Sequence, residues 1–266
     1  MKFLISNLGW NKNELPSIIK LLKLKKIKNL EFSINNLKKH NSKYKTIRDV
    51  KNFWNSKSIK LYSMQSILYK INDAFIFGTL SQQKIFYKEV VKKIKLANSL
   101  DAKILVLGSS NNKKVFDKSK KECDDLMFKF LRKISLLCKK YKVILCLEAN
   151  PKIYKTEYLT KTCEAINFVK KIKSKYIKLN LDLGTVIANK EKLNLIIKKN
   201  LKLIGHVQIS SPYLKNLIDY KLKIKKLIYY LNIYNYKKKI SIEMLAEKKN
   251  NVEEIKKIFK IIEQVK

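Results

Sequence analysis

The sequence is poor in the residues that interrupt regular structure. Only five glycines and three prolines occur in 266 residues, and no stretch rich in proline, glycine or serine separates one part of the chain from another. Hydrophobic residues make up 46% and charged residues 30%, which is enough to bury a large core and argues against wholesale disorder. We therefore expect one globular domain over residues 1–266.

Cysteines and long apolar runs are also scarce. The four cysteines, Cys123, Cys138, Cys146 and Cys163, show no CxxC spacing, which argues against both a disulfide framework and a zinc knuckle. No run approaches the roughly 18 apolar residues of a membrane span. Residues 1–7 lack the longer apolar region and the cleavage site of a secretory signal. These absences predict a cytoplasmic protein with no membrane partner.

Arginine is nearly absent, although the formal net charge is +39. Arg48 and Arg132 are the two arginines, and the other basic residues are lysines spread over nearly every helical segment. Bidentate and stacking contacts with nucleic acids favour arginine over lysine. Abundant lysine, asparagine and isoleucine are also what AT-rich codon usage produces. We therefore predict no specific nucleic-acid partner.

Short runs rich in isoleucine, leucine and valine alternate with longer amphipathic segments, as in repeated βα units. Leu126, Phe130, Ile134 and Leu137, for example, recur at helical spacing. Eight such units in this length favour closure into a parallel eight-stranded (β/α)8 TIM barrel with outer helices, an α/β fold, although periodicity alone leaves a three-layer sheet open. The predicted strands are residues 3–7, 29–33, 59–64, 103–108, 143–148, 177–182, 204–209 and 240–244.

Most of the few glycines and prolines stand at the ends of these predicted strands. They are Gly9, Gly108, Pro151, Gly184 and Pro212. Such residues mark strand-to-helix loops, and in this barrel those loops form the catalytic face. We therefore look for functional residues where the strands end.

Polar side chains appear at the ends of the last four predicted strands. Because side chains alternate across a strand, the polar residues of each strand end share one face. Buried carboxylates on neighbouring strands repel one another unless protons or a cation hold them together, and a divalent metal resolves that conflict. The residues are Cys146, Glu148 and Asn150; Asn180 and Asp182; His206, Gln208 and Ser210; and Ser241 and Glu243.

An ordered set of short motifs extends over nearly the whole chain. With this set the chain resembles the xylose isomerase-like barrels described as sugar phosphate isomerases or epimerases. The motifs are SNLGW at residues 6–10, MQS at 64–66, VLGS at 106–109, CLEANP at 146–151, LDLGT at 181–185, HVQISSP at 206–212 and SIEM at 241–244.

The resemblance implies a metal site at the ends of the last four strands. Glu148, Asp182 and Glu243 match three of the family's ligand positions, while Gln208 stands where the ligating histidine usually is. Thr185 stands where a substrate-binding histidine often follows the aspartate. A glutamine carbonyl is a possible ligand, and a set of oxygens only favours Mg²⁺ or Mn²⁺, with Zn²⁺ or Co²⁺ left open.

The mechanism that the resemblance implies is proton transfer next to a metal-polarised carbonyl of a sugar or sugar phosphate. One of Glu148 and Glu243 would remove a proton from carbon and the other would return it, which gives an epimer or an isomer. His206 would bind a substrate hydroxyl or orient the Gln208 ligand.

Each of the other polar and aromatic residues near the strand ends can be interpreted in two ways. Gln65 and Asn150 are candidates for substrate binding, but side chains of this type also bond loop backbones. Trp10 would stack on a sugar or close the core. Lys113 and Lys114 are within reach of a substrate phosphate in this scheme, yet we expect them in solvent, as for most lysines of this chain.

Two other functions compete with the isomerase hypothesis. A nuclease of the endonuclease IV type, from the same barrel family, needs a three-zinc cluster with several histidines, and this chain has only His40 and His206. A non-catalytic sugar-binding barrel is suggested by Gln208 and Thr185. The sequence leaves open the particular carbohydrate substrate and whether the protein forms a homo-oligomer.

Overall fold

Eight parallel strands close into one barrel in which each strand is bonded to the next and β8 is bonded to β1. The computed structural model describes residues 1–40, 44–215 and 217–265. All eight predicted strands are confirmed, with ends shifted by at most two residues. The strands are β1 Lys2–Ser6, β2 Asn29–Phe32, β3 Lys60–Met64, β4 Ile104–Leu107, β5 Ile144–Leu147, β6 Ile177–Asp182, β7 Ile204–Ile209 and β8 Lys239–Ile242.

Helices surround the barrel and connect its strands. Thr46, Thr79 and Ser119 each cap the start of a helix by accepting a hydrogen bond from the backbone of its first turn, which satisfies a donor that the helix cannot. The α-helices among the described residues are α1 Leu15–Leu24, α2 Ile34–His40, α3 Ile47–Ser56, α4 Leu80–Ser99, α5 Lys120–Tyr141, α6 Thr162–Ile172, α7 Leu183–Ala188, α8 Leu193–Asn200, α9 Lys221–Ile233 and α10 Asn251–Glu263.

The main core lies between the barrel and its helices. Residues such as Leu145 and Leu147 of β5 belong to it, together with the apolar stripes of the helices. Between them, Cys146 belongs to a small second cluster with Ile104 and Val106, as the alternation of side chains along strands requires. The hydrophobic side chains of the strands therefore form two clusters, a large one between the barrel and its helices and a small one inside the barrel.

Much of the barrel interior is polar. Glu31, Ser63, Asn180, His206 and Ser241 lie on five different strands, and each is at most 2% exposed. Interiors of this fold are usually packed with valine, isoleucine and leucine. Polar groups buried at this depth are costly unless they are paired, so their presence marks the part of the barrel where function is to be sought.

Two further sequence expectations are addressed by the fold. The four cysteines are free thiols; Cys163 is exposed and the other three are buried. In the described ranges, no helix is long and apolar enough to cross a membrane.

Candidate active site

The predicted carboxylates meet at the C-terminal mouth of the barrel. Glu148 directly follows β5, Asp182 is the last residue of β6, and Glu243 directly follows β8. The pairing of β6 with β7 sets Asp182 level with Gln208. The strand register therefore brings together the four residues that the sequence singled out.

Two asparagine amides hold the carboxylate of Glu148. Asn150 Nδ2 donates to Oε1 over 2.7 Å, and Asn180 Nδ2 donates to Oε2 over 2.9 Å. Gly108 leaves space for this group, because a Cβ there would lie 2.8 Å from Oε1. Burial and then the charge of Asp182 raise the pKa of Glu148 to about 8. Glu148 is thus oriented, and it titrates near neutral pH.

Lys113 lies beside Glu148 and not in solvent, so the expectation of a solvated lysine was wrong. The short helix Ser110–Lys113 follows β4 and turns the side chain inward, where Lys113 is only 3% exposed. Its ammonium donates to Asn150 Oδ1 over 2.9 Å and to the backbone oxygen of Glu148 over 3.4 Å. Burial lowers the pKa of Lys113 to about 8, and the charge of Glu148 opposes this shift.

Asp182 both caps a helix and faces the mouth. Its Oδ1 accepts the backbone N–H of Thr185 over 2.6 Å at the start of α7, and its Oδ2 accepts the hydroxyl of Ser210. Thr185 in turn donates its hydroxyl to the Ala149 carbonyl over 3.0 Å. Burial raises the pKa of Asp182, and these hydrogen bonds oppose the shift.

Glu243 is 8% exposed and lies within range of the charges of three other carboxylates. Its backbone N–H donates to the carbonyl of Ile209 over 2.9 Å, which ties the end of β8 to β7. Burial, followed by the charges of Glu31, Asp182 and Glu148, raises its pKa well above the ordinary value. Glu243 therefore holds a proton more firmly than an ordinary glutamate.

The amide of Gln208 is fully engaged by its neighbours. Its Nε2 donates to Glu31 Oε1 over 2.9 Å and to Gln65 Oε1 over 3.1 Å, while its Oε1 accepts from Asn180. Gln65 in turn donates a hydrogen bond to the hydroxyl of Ser6, which extends this hydrogen-bond network. Since a carboxylate only accepts, Glu31 fixes which side of the Gln208 amide carries the nitrogen.

Glu31 is a buried acidic residue beneath the mouth that the sequence analysis missed. It lies on β2, is fully buried, and accepts from Ser63 Oγ over 2.8 Å. Oε2 of Glu31 also lies 2.6 Å from Nε2 of His206. Burial alone would raise the pKa of Glu31, but the charge and the hydrogen bond of His206 hold it below the ordinary value. His206 is therefore bonded to Glu31 inside the barrel, one layer of side chains below the mouth.

A signal for Glu31 was present in the sequence. Glu31 stands between Leu30 and Phe32 and shares a strand face with Asn29 and Ser33. This is the same pattern, a polar face on an otherwise apolar strand, that identified the later strands. It was overlooked because Glu31 does not stand at the strand's C-terminal end.

The structure places Trp10 in the core. Its side chain is 1% exposed, and its ring stacks on His40 with centroids 5.6 Å apart. His40 Nε2 also lies 2.9 Å from the backbone oxygen of Trp10. This burial favours the core-closing interpretation of Trp10 over sugar stacking.

Two tyrosines that the sequence analysis did not consider lie near the mouth. The ring of Tyr154 meets that of Tyr213 edge to face, with centroids 5.3 Å apart, and its hydroxyl accepts the backbone N–H of Tyr213 over 3.0 Å. Burial and then the charges of Asp182, Glu148 and Glu243 raise the pKa of Tyr154 to about 12. Tyr213 is 55% exposed, so the pair reaches from the carboxylates to solvent.

The mouth fits a divalent cation by charge and donor type. Glu148, Asp182 and Glu243 supply the hard oxygens that Mg²⁺ and Mn²⁺ prefer. Their pKa values are raised first by burial and then by the charges of neighbouring carboxylates, and a bound cation would favour the ionised forms. Among the described residues, however, no three His, Cys, Asp or Glu side chains lie close enough together to hold a metal ion. The carboxylates would have to draw together to bind one.

A family model described as the xylose isomerase-like TIM barrel matches residues 36–265. The chain belongs to this family. The resemblance noted in the sequence motifs is thereby confirmed, and the closed barrel of eight parallel strands agrees with it. No curated protein sequence matches this xylose isomerase-like barrel.

Several solved structures share its fold. The 3-keto-D-glucoside 4-epimerase from E. coli has a TM-score of 0.78 at 13% identity, with 99% of both chains covered. An L-ribulose 3-epimerase has a TM-score of 0.76 at 15% identity, covering 100% of this chain and 96% of its own. A family 2 AP endonuclease from Brucella melitensis has a TM-score of 0.71 at 17% identity, covering 94% and 96%. At these identities the likeness establishes the fold.

Proposed function

We propose that this xylose isomerase-like barrel is an enzyme, a carbohydrate isomerase or epimerase that moves a proton on carbon next to a carbonyl. The observation that carries the proposal is the pair of buried glutamates at the mouth, whose pKa values are raised to about 8 for Glu148 and well above the ordinary value for Glu243. A proton-transfer group works best when its pKa is close to the operating pH. Burial thus moves the pKa of both carboxyl groups upward from the ordinary value of 4.5.

Glu148 and Glu243 take complementary roles in this proposal. The amides of Asn150 and Asn180 fix the direction of the Glu148 carboxylate, which suits a base that must reach one hydrogen. Glu243, whose raised pKa favours the protonated carboxyl group, donates a proton to carbon. Return to the opposite face of the same carbon gives an epimer, and return to the neighbouring carbon gives an isomer.

We include a divalent cation, Mg²⁺ or Mn²⁺, with Zn²⁺ or Co²⁺ as alternatives. Glu148, Asp182 and Glu243 are the residues that would hold it. When bound, such an ion polarises a carbonyl oxygen and stabilises the negative charge that develops on it. The side-chain carbonyl oxygen of Gln208 would become a fourth ligand only if it gave up the hydrogen bond that it accepts from the amide of Asn180.

A carbohydrate substrate is supported by the polar and aromatic groups around the carboxylates. Gln65 and Asn150 offer amides near the substrate position, and Tyr154 and Tyr213 offer ring faces of the kind on which sugar C–H groups pack. His206 acts from beneath through Glu31, while Trp10 remains a weaker prediction because it is buried. The epimerases among the structural neighbours are named for keto-sugars or for a keto-glucoside, which agrees with this substrate class.

The proposal is tested by incubating the protein and Mn²⁺ or Mg²⁺ in deuterated water with a panel of ketoses and ketose phosphates. Proton NMR should show loss of a carbon-bound hydrogen for at least one sugar, followed by a new epimer or isomer. Glu148→Gln and Glu243→Gln should each remove the exchange, while the exposed Glu247→Gln should not. A broad panel without exchange, together with saturable sugar binding, would favour the non-catalytic sugar-binding barrel.

A further inference from the structure

The opposite end of the barrel, where the strands begin, is lined by lysines. Five consecutive strands around the barrel, β8, β1, β2, β3 and β4, each begin with a lysine or directly follow one. The pairing of β1 with β8 sets Lys2 opposite Lys239. We call these residues the floor lysines: Lys2, Lys28, Lys60, Lys103 and Lys239.

Two adjacent concavities open at this floor. One has a volume of about 570 Å³ and is lined by Lys2, Lys28, Lys60 and Lys239, among others. The other has a volume of about 760 Å³ and is lined by Lys60, Lys103 and Lys239. Because Lys60 and Lys239 line both, the floor lysines cluster around these two adjacent concavities, which we call together the recess.

The two acidic side chains in these walls each bond a lysine that is not one of the floor lysines. Glu263 bonds Lys25 over 2.7 Å, and Asp101 bonds Lys51 over 2.7 Å. Within the part of the chain that the structure describes, the floor lysines form no salt bridge with a carboxylate. The floor lysines therefore face the recess without a salt-bridge partner of their own among the described residues.

Lys239 is repelled by the charges of other floor lysines. Its ammonium lies 3.3 Å from the centroid of the Tyr62 ring, which holds it inside the recess. Burial, followed by the charges of Lys2 and Lys60, lowers its pKa to about 8. A bound anion would relieve this repulsion, as a cation would at the mouth.

We propose that the floor binds a compact anion that carries two or more phosphate groups. Lysine ammonium groups act as point charges toward phosphate oxygens, and Asn29, Asn55 and Ser58 in the walls add groups that hydrogen-bond such oxygens. Lys239 covers one face of the Tyr62 ring, which leaves less ring surface for a nucleobase. The lysines cluster around one recess, which suits a compact anion better than an extended nucleic acid. The proposal does not depend on the function of the mouth.

Isothermal titration with inorganic diphosphate at near-physiological ionic strength tests the proposal. We expect one site per chain. Lys60→Gln/Lys239→Gln should weaken binding at least tenfold, about 1.4 kcal/mol or more. Lys198→Gln/Lys199→Gln, which removes the same charge from the exposed face of α8, should change it less than about twofold, since separated surface charges are largely screened.

A second arm identifies the source of the phosphate groups. Equal affinity for diphosphate and ADP supports recognition of the phosphate chain alone, whereas tighter binding of ADP supports a nucleotide. Lys2→Gln/Lys60→Gln serves as an independent variant in case Lys239 is needed for folding. The proposal is overturned if diphosphate does not saturate a single site, or if the floor variants and the α8 variant lose affinity equally.

Discussion

At the mouth of the barrel the charged groups are buried carboxylates, whereas at the floor they are mostly exposed lysines. Glu148, Asp182 and Glu243 lie in a closed network of amides and hydroxyls, and their pKa values are raised. Lys2 and Lys60 at the floor are exposed, where a charge costs little. The two ends therefore differ in how their charges are held: buried carboxylates need specific partners within the protein, whereas exposed lysines are left free to meet a ligand.

The largest expected difference between the two ends is in catalysis. Glu148→Gln should lower the rate of sugar deuterium exchange by about 10²–10⁴-fold, which is the usual contribution of a positioned acid or base. The floor variant Lys60→Gln/Lys239→Gln should keep the rate of the unmodified protein. Rates measured by NMR under equal metal and sugar concentrations check both. Equal losses of exchange rate in the mouth variant and in the floor variant would mean that the two ends of the barrel do not differ in catalysis.

The next largest effect is expected from the interior below the mouth. Glu31→Leu leaves the donors of His206, Ser63 and Gln208 without their shared acceptor, so it should destabilise the fold by about 3–5 kcal/mol. Urea unfolding followed by circular dichroism measures this loss. Glu253→Gln, in an exposed pair on α10, should leave the midpoint unchanged. A Glu31→Leu protein as stable as the original would show that the network is dispensable.

The stability of the metal-free protein should depend on pH through the mouth. Glu148 has an ordinary pKa of 4.5 and a folded pKa of about 8, so between these values the folded state binds more protons than the unfolded state. The free energy of unfolding in the presence of a chelator should therefore fall as the pH rises from about 5 to 8. Glu31, whose pKa is lowered, loses its contribution only below this window.

Urea unfolding at several pH values checks this dependence. Glu148→Gln should flatten the curve between pH 5 and 8, and added Mn²⁺ should flatten it as well, because a bound cation replaces the protons. A stability that rises with pH in the chelated protein would contradict the raised pKa of Glu148.

The smallest effect is expected at the floor. Lys60→Gln/Lys239→Gln removes charges that repel Lys2, so the thermal midpoint should rise slightly at low salt and match that of the original protein at high salt. Scanning calorimetry at two ionic strengths measures the difference. A midpoint that falls at low salt would mean that these lysines stabilise the floor and do not strain it.

The sequence was sufficient to predict the barrel and three members of the mouth. Alternation along the strands placed Glu148, Asp182 and Glu243 at strand ends on the inner face, and parallel pairing brings such ends to the same rim. These residues are determined by the regular part of the fold, where periodicity carries the information.

The remaining members depend on features that periodicity does not encode. Lys113 is buried because a short helix turns inward after β4, and Tyr154 and Tyr213 meet because two loops approach each other. Gln208 could be placed on the rim, but the direction of its amide follows from Glu31 across the barrel. Loop conformation and contacts between distant strands appear only in three dimensions.

We propose that the carboxylates of the mouth form an acid-base centre that a divalent cation joins. Titration of Mn²⁺ into the protein by calorimetry, in buffers of different ionisation enthalpy, measures both metal affinity and proton release. We expect one Mn²⁺ per chain, bound with the release of protons from the carboxyl groups, and weaker binding with fewer protons released in Glu148→Gln. Absence of saturable binding, or binding unchanged by Glu148→Gln, Asp182→Asn and Glu243→Gln, would contradict it.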